Sequence, residues 1–239
     1  MQYKVYDIHA HVVPGVDDGA SDFNMAVDIL RAAYNQGARS VMCTSHSGYD
    51  TRRYLENLEK LKQRIEKENI QISLYSGCEV YCNSDIIAEV VVGLRNKEIL
   101  TINETMYVLV EFNPRTPVSE IIYCIKFLQD SGYKTIIAHT ERYVNLSVGC
   151  MWIKLLHQMG CLFQVNAYSF CDTRDEYMKS FARWMLKEKY ITFVGSDVHH
   201  TDYRRYAIEN GINYVCQNCD AEYAQEVCYR NAKNILNVK

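Results

Sequence analysis

Strand-length runs of apolar and β-branched residues recur along this chain with helical patterns between them, and this alternation restricts the fold more than any other feature. The runs cover residues 4–8, 40–44, 71–76, 107–111, 134–138, 161–165 and 191–195. In residues 53–69, Leu55, Leu58, Leu61 and Ile65 recur at helical spacing while Glu and Lys occupy the other faces, which predicts an amphipathic helix. Residues 26–36, 117–131 and 151–159 repeat one arrangement, a helix stopped by Gly37, Gly132 or Gly160 and followed soon by a strand. Strict β/α alternation implies parallel strands joined by helical crossovers, and near-continuous apolar strands imply a sheet covered by helices. A (β/α)7-type barrel is the expected fold. An open doubly wound sheet is the competitor, because the pattern does not specify strand order.

The 239 residues are 48% apolar, enough for one large core, and no low-complexity or charged linker interrupts them, so one domain over 1–239 is expected. A net charge of −3 supplies no basic field for a phosphate backbone, which argues against nucleic acid as a partner. Met1 leads directly into QYKVYDIHAH without a signal-like apolar region, and no long apolar run follows, so a cytoplasmic protein without membrane insertion is expected. The ten cysteines then read as reduced, largely core residues. One CxxC, Cys216 to Cys219, lacks the second pair that a structural zinc site needs.

The chemistry lies where the runs end. His9 and His11 follow the first run, His46 the second, Glu79 the third, Glu111 the fourth, His139 the fifth, and Asp197 with His199 the seventh. Parallel α/β barrels build their active sites at this edge. Five of the seven histidines stand there. In DIHAH the two imidazoles project to the same side of an extended backbone and can grip one ion; Asp197 and His199 repeat that spacing. Glu79 and Glu111 end apolar runs, where a carboxylate is costly unless protonated, paired or bound to a cation. Pairing with Arg115 or Arg142 is the alternative to metal binding. The sixth run ends on Asn166, a polar group but a poor ligand. In PGVDDGA, Asp17 and Asp18 precede Gly19; Asp-Gly is a turn dipeptide, yet its place beyond the first strand points to one aspartate as a ligand. A nitrogen and oxygen donor set without cysteine suits Mn, Fe or Zn. No Cys is followed six positions later by Arg and there is no P-loop, which leaves a metal-activated water as nucleophile.

DIHAHVVPGVDDGA, TSH, GCEVY, LVEFN, AHTERY, VNAYS and SDVH follow one another as in the CpsB/CapC-type protein-tyrosine phosphatases, a branch of the polymerase-and-histidinol-phosphatase (PHP) superfamily, and the chain resembles that branch from Asp7 to about Arg205. It departs at Thr140, where the family commonly has Pro, at Val198, where Ala is usual, and over residues 47–54, which match no family pattern. The resemblance implies a distorted TIM-like (β/α)7 barrel, the PHP fold, and three divalent ions, manganese in this branch. His9, His11, Glu79 and Asp197 would hold the first. Glu79 would bridge to the second, completed by Glu111 and His139. Asp18, His46 and His199 would hold the third. The implied reaction is hydrolysis of phosphotyrosine on a bacterial tyrosine kinase that controls capsular or extracellular polysaccharide. Arg142 and Arg204 would neutralise the phosphoryl oxygens, with Asp197 or His199 available to assist the leaving group. A small-molecule phosphatase acting on a compound such as histidinol phosphate, and a phosphopeptide-binding module without turnover, are the rival functions.

Overall fold

The computed structural model describes residues 4–148 and 151–236. Each predicted run contains a strand: β1 (Val5–Ala10), β2 (Ala38–Cys43), β3 (Ser73–Ser76), β5 (Tyr107–Glu111), β6 (Lys134–Ile137), β7 (Leu162–Asn166) and β8 (Phe193–Gly195). A further short strand, β4 (Glu79–Tyr81), follows β3 after the break at Gly77 and Cys78. β3 pairs with β2, whereas β4 pairs with β5. The result is two sheets, ordered β1-β2-β3 and β4-β5-β6-β7-β8, with every pairing parallel. Strand order follows chain order, without the reversal of a doubly wound sheet.

The sheets meet at two seams. Ala10 bridges Val198, with Asp197 N–H donating to the His9 carbonyl (2.8 Å) and His11 N–H to the Val198 carbonyl (2.9 Å). His46 bridges Glu79, with Glu79 N–H donating to Ser45 O (3.1 Å) and Ser47 N–H to Glu79 O (2.8 Å). Both seams lie at the C-terminal ends of the strands, where the histidines and carboxylates emerge.

The helices are α1 (Phe23–Asn35), α2 (Thr51–Lys67), α3 (Ile87–Arg95), α4 (Val118–Asp130), the single turn α5 (Val144–Ser147), α6 (Met151–Gln158), α7 (Glu176–Lys187), α8 (Glu209–Asn218), α9 (Ala221–Gln225) and α10 (Asn231–Leu236). Asp22, Asp50 and Asp175 cap α1, α2 and α7 by accepting from backbone N–H groups of the first turn, and each such cap is worth about 1 kcal/mol. Gly37 (φ 93°) and Gly132 (φ 94°) follow α1 and α4 in a left-handed conformation that a side chain would strain. In α2 the buried stripe is Tyr54, Leu58, Leu61 and Ile65. Leu55, predicted to face the core, is 45% exposed because Tyr54 occupies its place. The larger core cluster includes apolar residues of every strand, among them Leu74 of β3 and Val80 of β4, together with the long helices, and a smaller one joins Ile8, Met42, Leu109, Ile136 and Phe193 from five strands to Ala232, Ile235 and Leu236 of α10. Among the described residues no helix is long and apolar enough to cross a membrane.

Candidate metal centre

In β1, Asp7 is the anchor. Its Oδ1 accepts from His9 N–H (3.2 Å) and from Ser196 N–H (2.9 Å), so one buried carboxyl ties DIHAH to SDVH across a seam. The chain after His11 then folds back, and Ala20 N–H donates to the His11 carbonyl (3.1 Å). Gly19 makes this turn possible, since a Cβ there would lie 2.2 Å from the same carbonyl oxygen. The turn separates the two aspartates. Asp17 Oδ2 accepts from His11 Nδ1 (2.8 Å) and His46 N–H (3.0 Å), whereas Asp18 Oδ1 stands 3.5 Å from both His46 Nε2 and His199 Nε2. Asp17 therefore orients a histidine, and Asp18 faces the cluster.

Glu79 is the centre of the group and is buried. Its Oε2 lies 3.2 Å from His9 Nε2, His11 Nε2 and His46 Nδ1, and its Oε1 lies 2.8 Å from His139 Nε2. Glu111 is 2.9 Å from His46 Nδ1 and 3.7 Å from His139 Nε2. Both glutamates thus face histidines rather than Arg115 or Arg142. Asp197 Oδ1 is 3.5 Å from His9 Nε2, 3.7 Å from His11 Nε2 and 2.8 Å from Arg204 Nη2; its Oδ2 accepts from Arg142 Nη2 (2.6 Å) and Asn166 Nδ2 (3.0 Å). Three sets of donor atoms fall within 4.8 Å of one another: His11, Asp18, His46 and His199; His9, His11 and Glu79; and His46, Glu79 and Glu111.

These charges shift one another. Burial opposes a proton on His11, but Asp17 and Glu79 outweigh it and hold the imidazole at about 9. Burial and Arg142 oppose a proton on His139, which Glu111 and Glu79 also lift to about 9. Burial works against the Asp17 carboxylate, yet the His11 hydrogen bond draws it down to about 2. Asp197 is held far below its ordinary range, Arg142, His9 and Arg204 prevailing over burial. His199 falls to about 3, from burial and the neighbouring His11.

The donor set fits divalent cations. His9 Nδ1 faces Gln164 Oε1 (3.0 Å) and His11 Nδ1 faces Asp17, so each ring spends its Nδ1–H there and Nε2 is the atom that offers a lone pair once its own proton is displaced. Those two Nε2 atoms are 3.2 Å apart and share Glu79 Oε2 as a neighbour. His199 Nδ1 likewise faces the Asp197 carbonyl (3.0 Å), leaving its buried Nε2 without a hydrogen-bond partner. Lone pairs and carboxylate oxygens converging in a buried space require positive charge among them, from protons or from ions.

Other residues occupy roles that their sequence positions did not reveal. Gln164 is buried inside β7, and Asn166, read only as a polar strand end, holds Asp197. Tyr143 is core, its hydroxyl accepting from Phe112 N–H (3.1 Å). Tyr168 is half-buried and accepts from Arg142 Nη2 (2.9 Å). Tyr49 and Tyr203 are exposed. The unmatched segment 47–54 is the loop into α2 and that helix's first turn, capped by Asp50. A cleft of about 380 Å³ opens beside Asp197, lined by Tyr168, Ser196, Asp202, Arg204, Arg205 and Ala207. His139 (φ 29°), Asp197 (φ 54°) and Arg204 (φ 47°) all have left-handed backbones, costing on the order of 1–3 kcal/mol each.

Parallel strands that deliver imidazoles and carboxylates to one edge define a class of α/β proteins built to hold divalent ions for hydrolysis. Within that class, the chain belongs to the family described as "Capsular polysaccharide synthesis, CpsB/CapC", whose model matches residues 5–237. It is 29% identical over 240 residues to the tyrosine-protein phosphatase CpsB of Streptococcus agalactiae serotype III (strain NEM316), covering 96% of this chain and 97% of that one. It is also 29% identical over 237 residues to the tyrosine-protein phosphatase YwqE of Bacillus subtilis (strain 168), covering 95% and 89%. A chain from the crystal structures of YwqE from B. subtilis and CpsB from Streptococcus pneumoniae, described as unique metal-dependent tyrosine phosphatases, matches with a TM-score of 0.88 at 26% identity over 97% of this chain and 94% of that one. The phosphotriesterase from Mycobacterium tuberculosis shares the fold, with a TM-score of 0.63 at 10% identity, covering 98% and 94%.

Proposed function

We propose that this chain is a metal-dependent protein-tyrosine phosphatase, a cytoplasmic single-domain enzyme whose two sheets form one distorted (β/α)7 ring around the site, acting on an autophosphorylated bacterial tyrosine kinase that controls capsular or extracellular polysaccharide synthesis. The observation that carries the reading is the pair of Nε2 atoms on His9 and His11, 3.2 Å apart and facing Glu79. The family relatives named as tyrosine-protein phosphatases supply the substrate class. Three ions, manganese first and iron or zinc as alternatives, suit the donor set. His9, His11, Glu79 and Asp197 would hold one; Glu79, Glu111 and His139 a second; Asp18, His46 and His199 a third. His46 stands between the last two groups, one ring nitrogen facing Glu111 and the other Asp18.

Bound divalent ions supply Lewis acidity and a nucleophilic water at neutral pH. The chain's own residues bind and orient the phosphoryl group. Arg142 and Arg204 each have five N–H donors and spend only part of them on Asp197 and Tyr168, leaving forks for phosphoryl oxygens. Asp197 is held ionised and His199 neutral, so at neutral pH neither carries a proton to give the leaving group; the geometry favours a ligand role for both. A phenolate, with a pKa of about 10, departs without a strong acid.

The test is phosphate release from a phosphotyrosine peptide and from histidinol phosphate by chelator-stripped protein, before and after Mn²⁺ is added. Metal-restored turnover preferring the peptide is expected. Preference for histidinol phosphate would keep the centre and replace the substrate, and tight phosphopeptide binding without turnover under any metal would make the chain a binding module.

A further inference from the structure

We infer that Gln164 is a positioning residue for the metal centre: with Asn166 it forms a neutral amide relay that fixes which ring nitrogen of His9 faces the ions and steadies Asp197. The inference rests on the metal-dependent reading above, and nothing in it depends on the substrate.

Gln164 lies within β7 with no exposed surface, where an unpaired amide would cost about 1–3 kcal/mol. Its orientation is set by a group that cannot reverse its polarity. The backbone N–H of His139 points at one end of the side chain, 2.7 Å away, so the atom there must be the carbonyl oxygen. That same oxygen lies 3.0 Å from His9 Nδ1, which must then be the N–H donor. The tautomer of the neutral His9 ring follows, with Nε2, which faces His11 and Glu79, left as the ligand atom. The Gln164 amide nitrogen is left to donate to Asn166 Oδ1 (2.8 Å), and this turns the Asn166 amide nitrogen onto Asp197 Oδ2 (3.0 Å). Two side chains of one strand thereby set groups delivered by β1, by the turn after β6 and by the loop after β8.

The opposite wall makes room for the relay. A Cβ on Gly195 would sit 3.0 Å from both Gln164 Nε2 and His9 Cβ. The partner's charge also differs between the two histidines of DIHAH. His11 leans on a carboxylate, Asp17, whereas His9, equally buried, leans on an amide. A carboxylate at 164 would add a buried negative charge beside Glu79 and Asp197; the amide orients the ring without it.

The experiment measures Mn²⁺ binding to the intact chain, with free ion followed by electron paramagnetic resonance, for wild type, Gln164→Leu, Gln164→Glu and Asn166→Ala. Partners of metal-bound histidines typically govern about 10- to 100-fold in affinity. Gln164→Leu is expected to weaken binding by about that factor and Asn166→Ala by about 10-fold, while Gln164→Glu, which keeps the acceptor for His9 but loses the donor to Asn166, falls between wild type and Gln164→Leu. In the metal-free protein at alkaline pH, where the ring is neutral, ¹⁵N spectra are expected to show His9 with its proton on Nδ1 in wild type and a mixture of tautomers in Gln164→Leu. Wild-type affinity in both Gln164→Leu and Asn166→Ala, or an unaltered His9 ring in Gln164→Leu, would overturn the relay, as would Gln164→Glu binding as poorly as Gln164→Leu. Should Gln164→Leu fail to fold by circular dichroism, Asn166→Ala and Gln164→Glu decide on the same criteria. Wild type that binds no divalent ion removes the metal reading and the relay together, while binding without turnover of any phosphoester removes only the phosphatase reading.

Discussion

Arg142 and Arg204 converge on one carboxylate, Asp197, whose two oxygens they divide. Left-handed backbones at Asp197 and Arg204 hold that arrangement against local preference, as expected where position matters more than stability. If Arg142 serves the phosphoryl group, Arg142→Ala should lower kcat/KM for a phosphotyrosine peptide by about 100-fold with Mn²⁺ content unchanged. Kinetics equal to wild type would confine Arg142 to its pairing with Asp197 and Tyr168. The histidines and carboxylates of this centre were legible because each ends an apolar run, where a charged or titratable residue stands out against its neighbours. Gln164 was not, because LFQVN reads as a continuous strand and the burial of its third position depends on what β8 leaves open. The roles of Asp17 and Asp18 depended on the direction of a turn that the dipeptide alone does not specify.

Among the elements, α2 links both sheets' neighbourhoods through Tyr54, whose hydroxyl donates to the Cys43 carbonyl at the end of β2 (2.5 Å) and accepts from Gly77 N–H at the break between β3 and β4 (3.2 Å). Tyr54→Phe leaves that buried N–H without its acceptor and should cost about 1–3 kcal/mol, read as a lower urea midpoint at unchanged m. A midpoint like that of wild type would mean that the break is held by packing alone. The alternation of elements was legible throughout, since periodicity reports which faces are buried. The second strand beyond the third run was hidden: β4 takes a different partner from β3 after only two residues, and only Gly77 marks the place. Leu55 misled for a related reason, because Leu55 and Tyr54 both suit an apolar stripe and the tyrosine's two hydrogen bonds favour turning it inward.

For the molecule as a whole, the proposed metal centre sets proton and metal in competition for one buried space. In the metal-free chain His11 and His139 are raised from 6.5 to about 9, so the folded state binds their protons more tightly than the unfolded state. Their stabilisation is complete below about 6.5 and is lost as pH rises through about 9. Asp17, lowered to about 2, contributes above its ordinary value and fails only on strong acidification; His199, lowered to about 3, instead erodes stability as pH falls below 6.5. The melting temperature of chelator-treated protein should therefore fall between pH 6.5 and 9, and a flat or rising profile would contradict these assignments. Metal uptake must expel the same protons, so apparent Mn²⁺ affinity should climb over that interval with proton release measurable by calorimetry in buffers of different ionisation enthalpy. The two seams add a mechanical consequence. His9, His11 and His46 leave one sheet, while Glu79, Glu111, His139 and Asp197 leave the other, so ions among them act as a clasp across both joints. Chelation should speed deuterium exchange at the His11, Ser47, Glu79 and Asp197 amides more than within the β5–β6 ladder. A cell's supply of metal would then govern how long the chain survives proteases as well as how fast it turns over substrate.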